Sequence, residues 1–320
     1  MPRSDDLQAI DRLGLGCAPL GNLFASVSEA DAVATVDAAW SEGIRCFDTA
    51  PLYGHGESER RLGASLARYP RDEYELCTKV GRVLVPVAEH TPTIFRDLPP
   101  VDPVFDFSRD GVLRSFESSL ERLGVDRLDV VHVHDPDDHE TEALASAFPT
   151  LIELRDQGVI GRVGAGMNQS AMLARFVERV DLDCVLVAGR YSLLDRGAAV
   201  DLFPACAERG VDVYVGGVFN SGLLARPEIG AMFDYDIAPD ELVAEARALA
   251  DHWAARGVEL PHAAIQFALA HPAVTRVLIG ARHPGEITAA AAWAKRSLPP
   301  VPGESIDAQN PGLSTYHELE

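Results

Sequence analysis

The stretch RLDVVHVHDPDDHETEALASAFPTLIELRDQGVIGRVGAGM, residues 127 to 167, holds one repeat of the pattern that decides the fold. It opens on a strand candidate at 127 to 134 and closes on another at 162 to 167, both nearly without a polar face. Between them, 140 to 157 carries apolar residues at helical spacing. Strands that are apolar on both sides need cover on both sides, and parallel strands joined by helices supply it. His132 and His134 alternate with valines, so they share one side of the first strand.

The same alternation runs through the chain. Strand candidates lie at 13 to 19, 45 to 49, 74 to 80, 127 to 134, 162 to 167, 184 to 189, 211 to 217 and 276 to 281. Helical spacing marks 28 to 42, 57 to 68, 109 to 123, 140 to 157, 169 to 180, 198 to 209, 239 to 256 and 284 to 296. Strand and helix alternating eight times predict a closed parallel (β/α)8 TIM barrel, with residues 1 to 320 as a single domain. An open doubly wound sheet would carry G-x-G-x-x-G after its first strand, and Gly14, Gly16 and Gly21 lack that spacing. Three segments exceed ordinary barrel loops: 81 to 108, 217 to 238 and the tail 297 to 320. The first two follow strands three and seven, which puts them on the catalytic face.

Composition narrows the function. Hydrophobic residues make up 47% of the 320, and no apolar run approaches the roughly 18 residues of a membrane span. The opening MPRSDDLQAIDR lacks the apolar segment of a signal peptide, so a cytoplasmic location is expected. A formal charge of −21 opposes binding to nucleic acid or to an anionic membrane, leaving a small molecule as the expected partner and the oligomeric state open. Cys17, Cys46, Cys77, Cys184 and Cys206 contain no C-x-x-C and read as small buried hydrophobes.

In a parallel barrel the C-terminal strand ends look into the active site. Strand two ends in Asp48, with Tyr53 five residues on in DTAPLYGHGESE; strand three ends in Lys79 and strand four in His134. A free phenol has a pKa of about 10 and is nearly inert at neutral pH, but a nearby ammonium favours the phenolate. Lys79, held charged by Asp48, is therefore expected to lower the Tyr53 phenol, while His134 orients the reacting oxygen. Such a set moves a proton to or from a carbinol oxygen.

A metal-dependent hydrolase is the alternative of another class, because His132 and His134 share a face. It needs further ligands from other strand ends, yet strands five to eight finish in Gly, Met and Ala. Outside the stretch 131 to 140, the histidines at 55, 90, 252, 262, 271, 283 and 317 fall in helices or loops, so no metal is expected at this pair. His132 then reads as a barrel-interior or substrate-contacting residue. Asp137, Asp138 and Glu140 suit the acidic first turn of the following helix, and the GESERR charges read as a solvated helix face. In NSGLLA, Ser221 with the backbone of Gly222 and Leu223 could hold a pyrophosphate.

FDTAPLYGHGESERRLG, TKVGR, SLERLGVDRLDVVHVHDPD and GVIGRVGAG, in that order, resemble the aldo-keto reductase superfamily over most of the chain. GLGCAPLGNL, VGAGMNQ, AGRYSLLD and GGVFNSGLLA are similar to its branch of D-threo-aldose, L-fucose and pyridoxal 4-dehydrogenases. The resemblance implies Asp48, Tyr53, Lys79 and His134 as a catalytic tetrad serving a nicotinamide cofactor. Three departures follow. Asn168 takes the place of the usual Ser-Asn that holds the nicotinamide amide; the usual stacking tyrosine falls at Gly216, leaving Phe219 as the nearest aromatic; and GARHPGEI, from Gly280, offers Glu286 near Arg282 and His283 where NADP-preferring members place a base. A carboxylate there favours NAD over NADP. The implied reaction is oxidation of a free aldose such as L-fucose or D-arabinose at C1 to the lactone. Aldehyde or ketone reduction, pyridoxal oxidation and a redox-inactive binding subunit are the alternatives.

Overall fold

The computed structural model describes residues 8 to 299, so most of the expected tail, 300 to 320, lies outside the described residues. Eight parallel strands close a barrel: β1 (Leu13–Gly16), β2 (Cys46–Asp48), β3 (Glu75–Val80), β4 (Leu128–His134), β5 (Ile160–Met167), β6 (Cys184–Ala188), β7 (Asp212–Gly216) and β8 (Val274–Gly280). They pair in chain order, and β1 shuts the cylinder by pairing with both neighbours, Leu13 opposite Val277 and Gly14 opposite Cys46. This is the (β/α)8 fold that the alternation predicts.

The longer helices among the described residues are α1 (Glu29–Glu42), α2 (Glu57–Leu66), α3 (Arg109–Leu123), α4 (Phe148–Asp156), α5 (Ser170–Arg179), α6 (Leu202–Arg209), α7 (Asp240–Ala254), α8 (Leu260–Ala270) and α9 (Pro284–Lys295). Local chemistry sets their ends. Ser28 and Ser108 cap α1 and α3 by accepting from Asp31 N and Gly111 N, and left-handed Gly43 and Gly124 end the same helices. The sequence reading missed α8. Eight of its eleven residues are buried, so no polar stripe gives it a periodic contrast. α4 starts later than expected, because 140 to 147 forms a short turn (Glu140–Glu142) and a π-turn (Ala143–Ala147) ahead of Pro149, which has no N–H to give. No helix among the described residues is long and apolar enough to cross a membrane.

Both long loops are ordered over the mouth. Residues 81 to 108 form a hairpin, Arg82–Pro86 against Val101–Phe105, whose connecting chain bridges Leu23 to Phe95 and runs Phe24 N to Ile94 O at 2.9 Å. Residues 217 to 238 hold a turn at Asn220–Gly222 and a small hairpin, Met232–Phe233 against Asp236–Ile237. Its two loop residues, Asp234 and Tyr235, have φ of 48° and 69°, a turn that ordinarily selects Asn-Gly. A tyrosine held there is strained, which points to a role for its side chain.

Close backbone packing positions the loop that carries Tyr53. A Cβ on Gly21 would lie 2.5 Å from the Tyr53 carbonyl carbon, and one on Gly54 would lie 2.4 Å from Gly21 O. Only glycines permit that approach. The α2 charges correct an expectation: Glu59 and Arg61 are buried, not solvated. Glu59 accepts from Thr78 Oγ1 and Arg122 Nε, each at 2.6 Å, while Arg61 donates to Leu20 O and Asn22 Oδ1. These bonds fasten α2, and so the Tyr53 loop, to the turn after β1, to β3 and to α3.

Candidate active site

Adjacent strands present Asp48, Lys79 and His134 at one end of the barrel. Lys79 is buried, and its Nζ donates to Asp48 Oδ1 and Oδ2 at 2.9 and 2.7 Å and to Thr49 O at 2.8 Å. The same ammonium stands 4.7 Å from the centre of the Tyr53 ring. That ring meets His134 edge-on at 5.9 Å and Phe95 at 6.4 Å. The structure therefore brings all four side chains together.

Burial governs their charges. It depresses the Lys79 ammonium, but Asp48 and Tyr53 outweigh it and hold Lys79 above its usual value. The Asp48 carboxyl is raised by the same burial, against the pull of Lys79. With both carboxylate oxygens on one ammonium, the pair is an ion pair. Tyr53 departs from expectation: burial raises its phenol, Lys79 pulls it down, Asp48 and Tyr235 push it back up, and the net direction is upward. The ammonium works in the expected sense but does not win in this site. The phenol is thus a proton donor at rest.

His134 is held well below its usual value by burial, then by Arg82, Lys79 and His132, and so is neutral. Its Nδ1 is buried without a hydrogen-bond partner. His132 lies one layer down, fully buried, with its ring edge-on to Tyr214 at 6.2 Å and both nitrogens unpartnered. Gly164 makes room for it, since a Cβ there would lie 2.3 Å from His132 Nδ1. His132 is a barrel-interior residue; at zero exposure it does not present itself to a substrate. Among the described residues, neither histidine joins a trio of converging donor atoms.

Several groups at the mouth were not foreseen. Asp135, left-handed at φ 42°, pairs with Arg82 Nη2 at 3.0 Å and lies 3.4 Å from His134 Nε2. Arg82 Nη1 is buried and unpartnered. Arg190 grips Asp234 at 2.7 Å and Tyr235 N donates to Ser221 Oγ at 3.3 Å, which pins the small hairpin down. The Tyr235 hydroxyl comes within electrostatic reach of Asn168, Asp135 and Tyr53. Its one sequence signal is the two-residue Asp-Tyr turn in FDYDI.

The expected cofactor residues ring the same end of the barrel. Asn168 follows β5 and donates to Ala188 O at 3.0 Å. Phe219 leans on the hydrophobic core beneath the mouth, and Leu223 is fully buried, so only its backbone can serve a ligand. Gly216 leaves open room, with no atom nearer than 3.6 Å to a Cβ built there. Gly280, Arg282 and Glu286 are exposed where β8 gives way to α9, and Arg282 N donates to Glu286 Oε2 at 2.7 Å. Glu286 thus also caps a helix start. Asn220 Oδ1, at the head of NSGLLA, is buried without a partner in the protein, an acceptor that suits a hydrogen-bond donor of a cofactor held there.

A parallel barrel whose mouth sets a phenol beside a buried ammonium and a neutral imidazole holds the groups needed to move a proton on a carbinol oxygen. The comparisons agree: the chain belongs to the Aldo/keto reductase family, whose model matches residues 12 to 310. It is 43% identical over 300 residues to D-threo-aldose 1-dehydrogenase of a Pseudomonas species, covering 91% of each chain. It is 41% identical over 317 residues to pyridoxal 4-dehydrogenase of Microbacterium luteolum, again covering 91% of each. An aldo-keto reductase of Bacillus halodurans, solved in its holo form, superposes with a TM-score of 0.72 at 27% identity over 93% of this chain and 90% of that one. The enzyme is accordingly an oxidoreductase using a nicotinamide cofactor, and the metal-dependent hydrolase alternative falls away.

Proposed function

We propose that this enzyme oxidises a free aldose at C1, giving the lactone, with Tyr53 as general acid and base. The observation that carries the reading is the Lys79–Asp48 ion pair set against the face of Tyr53 beside a neutral His134. A nicotinamide cofactor, held by Asn168, Phe219 and the Ser221–Leu223 segment, would accept the hydride from C1. Tyr53, once it has released its own proton to solvent, takes the proton of the C1 hydroxyl at its phenolate oxygen and returns to the phenol, and Lys79, kept cationic by Asp48, stabilises the phenolate before that transfer. His134 Nδ1 or Nε2 hydrogen-bonds the reacting oxygen and fixes its position. Reduction of an aldehyde uses the same groups in reverse.

The substrate class rests on polarity. His134 Nδ1 and Arg82 Nη1 have no partners in the protein, and Asp135 lies between their side chains. Buried polar groups need hydrogen bonds, and adjacent sugar hydroxyls offer donors and acceptors at such spacing. The two curated relatives divide between an aldose and pyridoxal at nearly equal identity, so likeness alone does not choose. A panel of L-fucose, D-arabinose, pyridoxal and simple aldehydes, read by nicotinamide absorbance, tests the proposal. The highest kcat/KM should fall on an aldose, and a preference for pyridoxal or for an apolar aldehyde rejects it.

The proposed cofactor is NAD. Glu286 would repel a 2′-phosphate and accept from a ribose hydroxyl, although Arg282 and His283 stand close. Glu286→Arg should raise the ratio of NADP to NAD efficiency about tenfold, the scale of one exposed charge reversal. An unchanged ratio would show that other groups set the choice. Five free, buried cysteines support a reducing, cytoplasmic compartment.

A further inference from the structure

Two histidines that the sequence leaves in loops, His55 and His90, meet Asp102 beside the Tyr53 loop. We propose that these three residues bind a divalent transition-metal cation of the zinc class, which fastens the 82 to 105 hairpin to the catalytic loop. His55 follows Tyr53 by two positions, Asp102 lies in the second hairpin strand, and His90 lies in the chain connecting the two strands. One donor atom from each comes within 4.8 Å of the others. Imidazole nitrogen and carboxylate oxygen are the donors this cation class takes.

The trio is already oriented. Thr91 N donates to Asp102 Oδ2 at 2.7 Å, which turns Oδ1 toward the histidines, 2.7 Å from His90 Nδ1 and 3.4 Å from His55 Nδ1. A second bond of this kind to a ligating carboxylate is a regular part of metal sites. His55 is held left-handed at φ 52°, an uncommon conformation for a residue with a side chain. Its Nδ1 also sits 2.7 Å from Val101 O. His55 and Asp102 are buried, whereas the His90 side chain is 34% exposed, so a cation has a way in and a water has a place in the fourth position.

Charge separates this trio from the other cluster of donors, Cys46, Glu75 and Cys77. There Glu75 is already paired with Arg162 at 2.5 Å and Arg276 at 3.5 Å, so a cation would meet two cations. Asp102 is contacted by His55, His90 and Thr91 instead, so a cation there would meet a carboxylate and imidazole nitrogens rather than guanidinium groups. Without metal, protons do the joining. A cation displaces them and holds all three segments at once. Phe95, in the chain between His90 and Asp102, packs against both His55 and Tyr53 at 6.4 Å, so the clamp reaches the wall of the active site.

The test uses full-length enzyme treated with chelator, dialysed, and titrated with cobalt or zinc chloride alone. Cobalt should bind one to one with the visible absorption of a low-coordinate site, and zinc should bind with a Kd of about 10 µM or below. At a hundredfold excess over Kd, Tm should rise by about 5 °C. Hydrogen exchange across 86 to 101 should slow on binding. His90→Ala, at an accessible position and checked for folding by circular dichroism, should weaken zinc at least about thirtyfold, as should Asp102→Asn, while His283→Ala should not. Binding no tighter than about 1 mM, or unchanged affinity in folded His90→Ala, overturns the site. Tight binding without slowed exchange overturns the clamp.

Discussion

Tyr53→Phe loses about 10³-fold in kcat while its affinity for the nicotinamide and its Tm stay near those of the parent. The substitution removes one oxygen. The ring keeps its edge contact with His134 and its packing on Phe95, so the wall of the site stays in place. What disappears is the hydroxyl of the ring over which the Lys79 ammonium stands at 4.7 Å, the proposed proton carrier. Because burial outweighs Lys79 and keeps the phenol protonated, oxidation, which needs the phenolate, should quicken as pH rises, while reduction, whose donor is already protonated, should stay level across the neutral range. Steady-state rates in both directions, with cofactor binding measured by fluorescence, check each part. Turnover within tenfold of the parent would falsify the assignment.

Lys79→Met should be damaging twice over. Removing one partner of a buried ion pair leaves the other unpaired, at a cost of about 3 to 5 kcal/mol. Asp48 is the stranded partner, and with the ammonium gone burial alone drives its carboxyl further above the usual range. A carboxyl raised in the folded state binds its proton more tightly there than in the unfolded chain. Stability of Lys79→Met should therefore increase as pH falls through that raised value, over a wider pH range than in the parent, where Lys79 holds the same rise back. Urea unfolding at several pH values reads this directly. Adding Asp48→Asn removes the stranded charge and should restore most of the stability, because apolar or neutral pairs replace buried ion pairs at little cost. Activity should not return, since the phenolate then has no cation beside it. A double variant that regained turnover would show that the ion pair only holds the barrel together.

The tetrad was legible because it sits where strand periodicity and barrel geometry fix its address. Asp48 and His134 end their strands and Lys79 stands one residue before the end of its own, so a parallel barrel carries all three to one rim. Tyr53 needed only its distance from Asp48. Glu59 and Arg61 were misread as solvent-facing, because helical spacing shows that charges share a face but not what that face meets. Here it meets Thr78, Arg122 and the loop around Asn22. His132 could be placed inside the barrel by alternation, but which layer it occupies depends on the stagger between strands, and that lies outside any one strand's sequence.

Short-range chemistry in the sequence determined the eightfold alternation, the strand tips and the serine and glycine ends of the helices, since each depends on residues a few positions apart. Only the tertiary structure could decide that Arg190 holds Asp234, that the strained Tyr235 reaches Asn168 and Asp135, and that Arg82 pairs with Asp135. Only it could bring His55, His90 and Asp102 together. The physical reason is the same in each case. These groups are joined by side chains crossing between segments 12 to 100 residues apart, and no periodic pattern in the chain records which segment will fold over which.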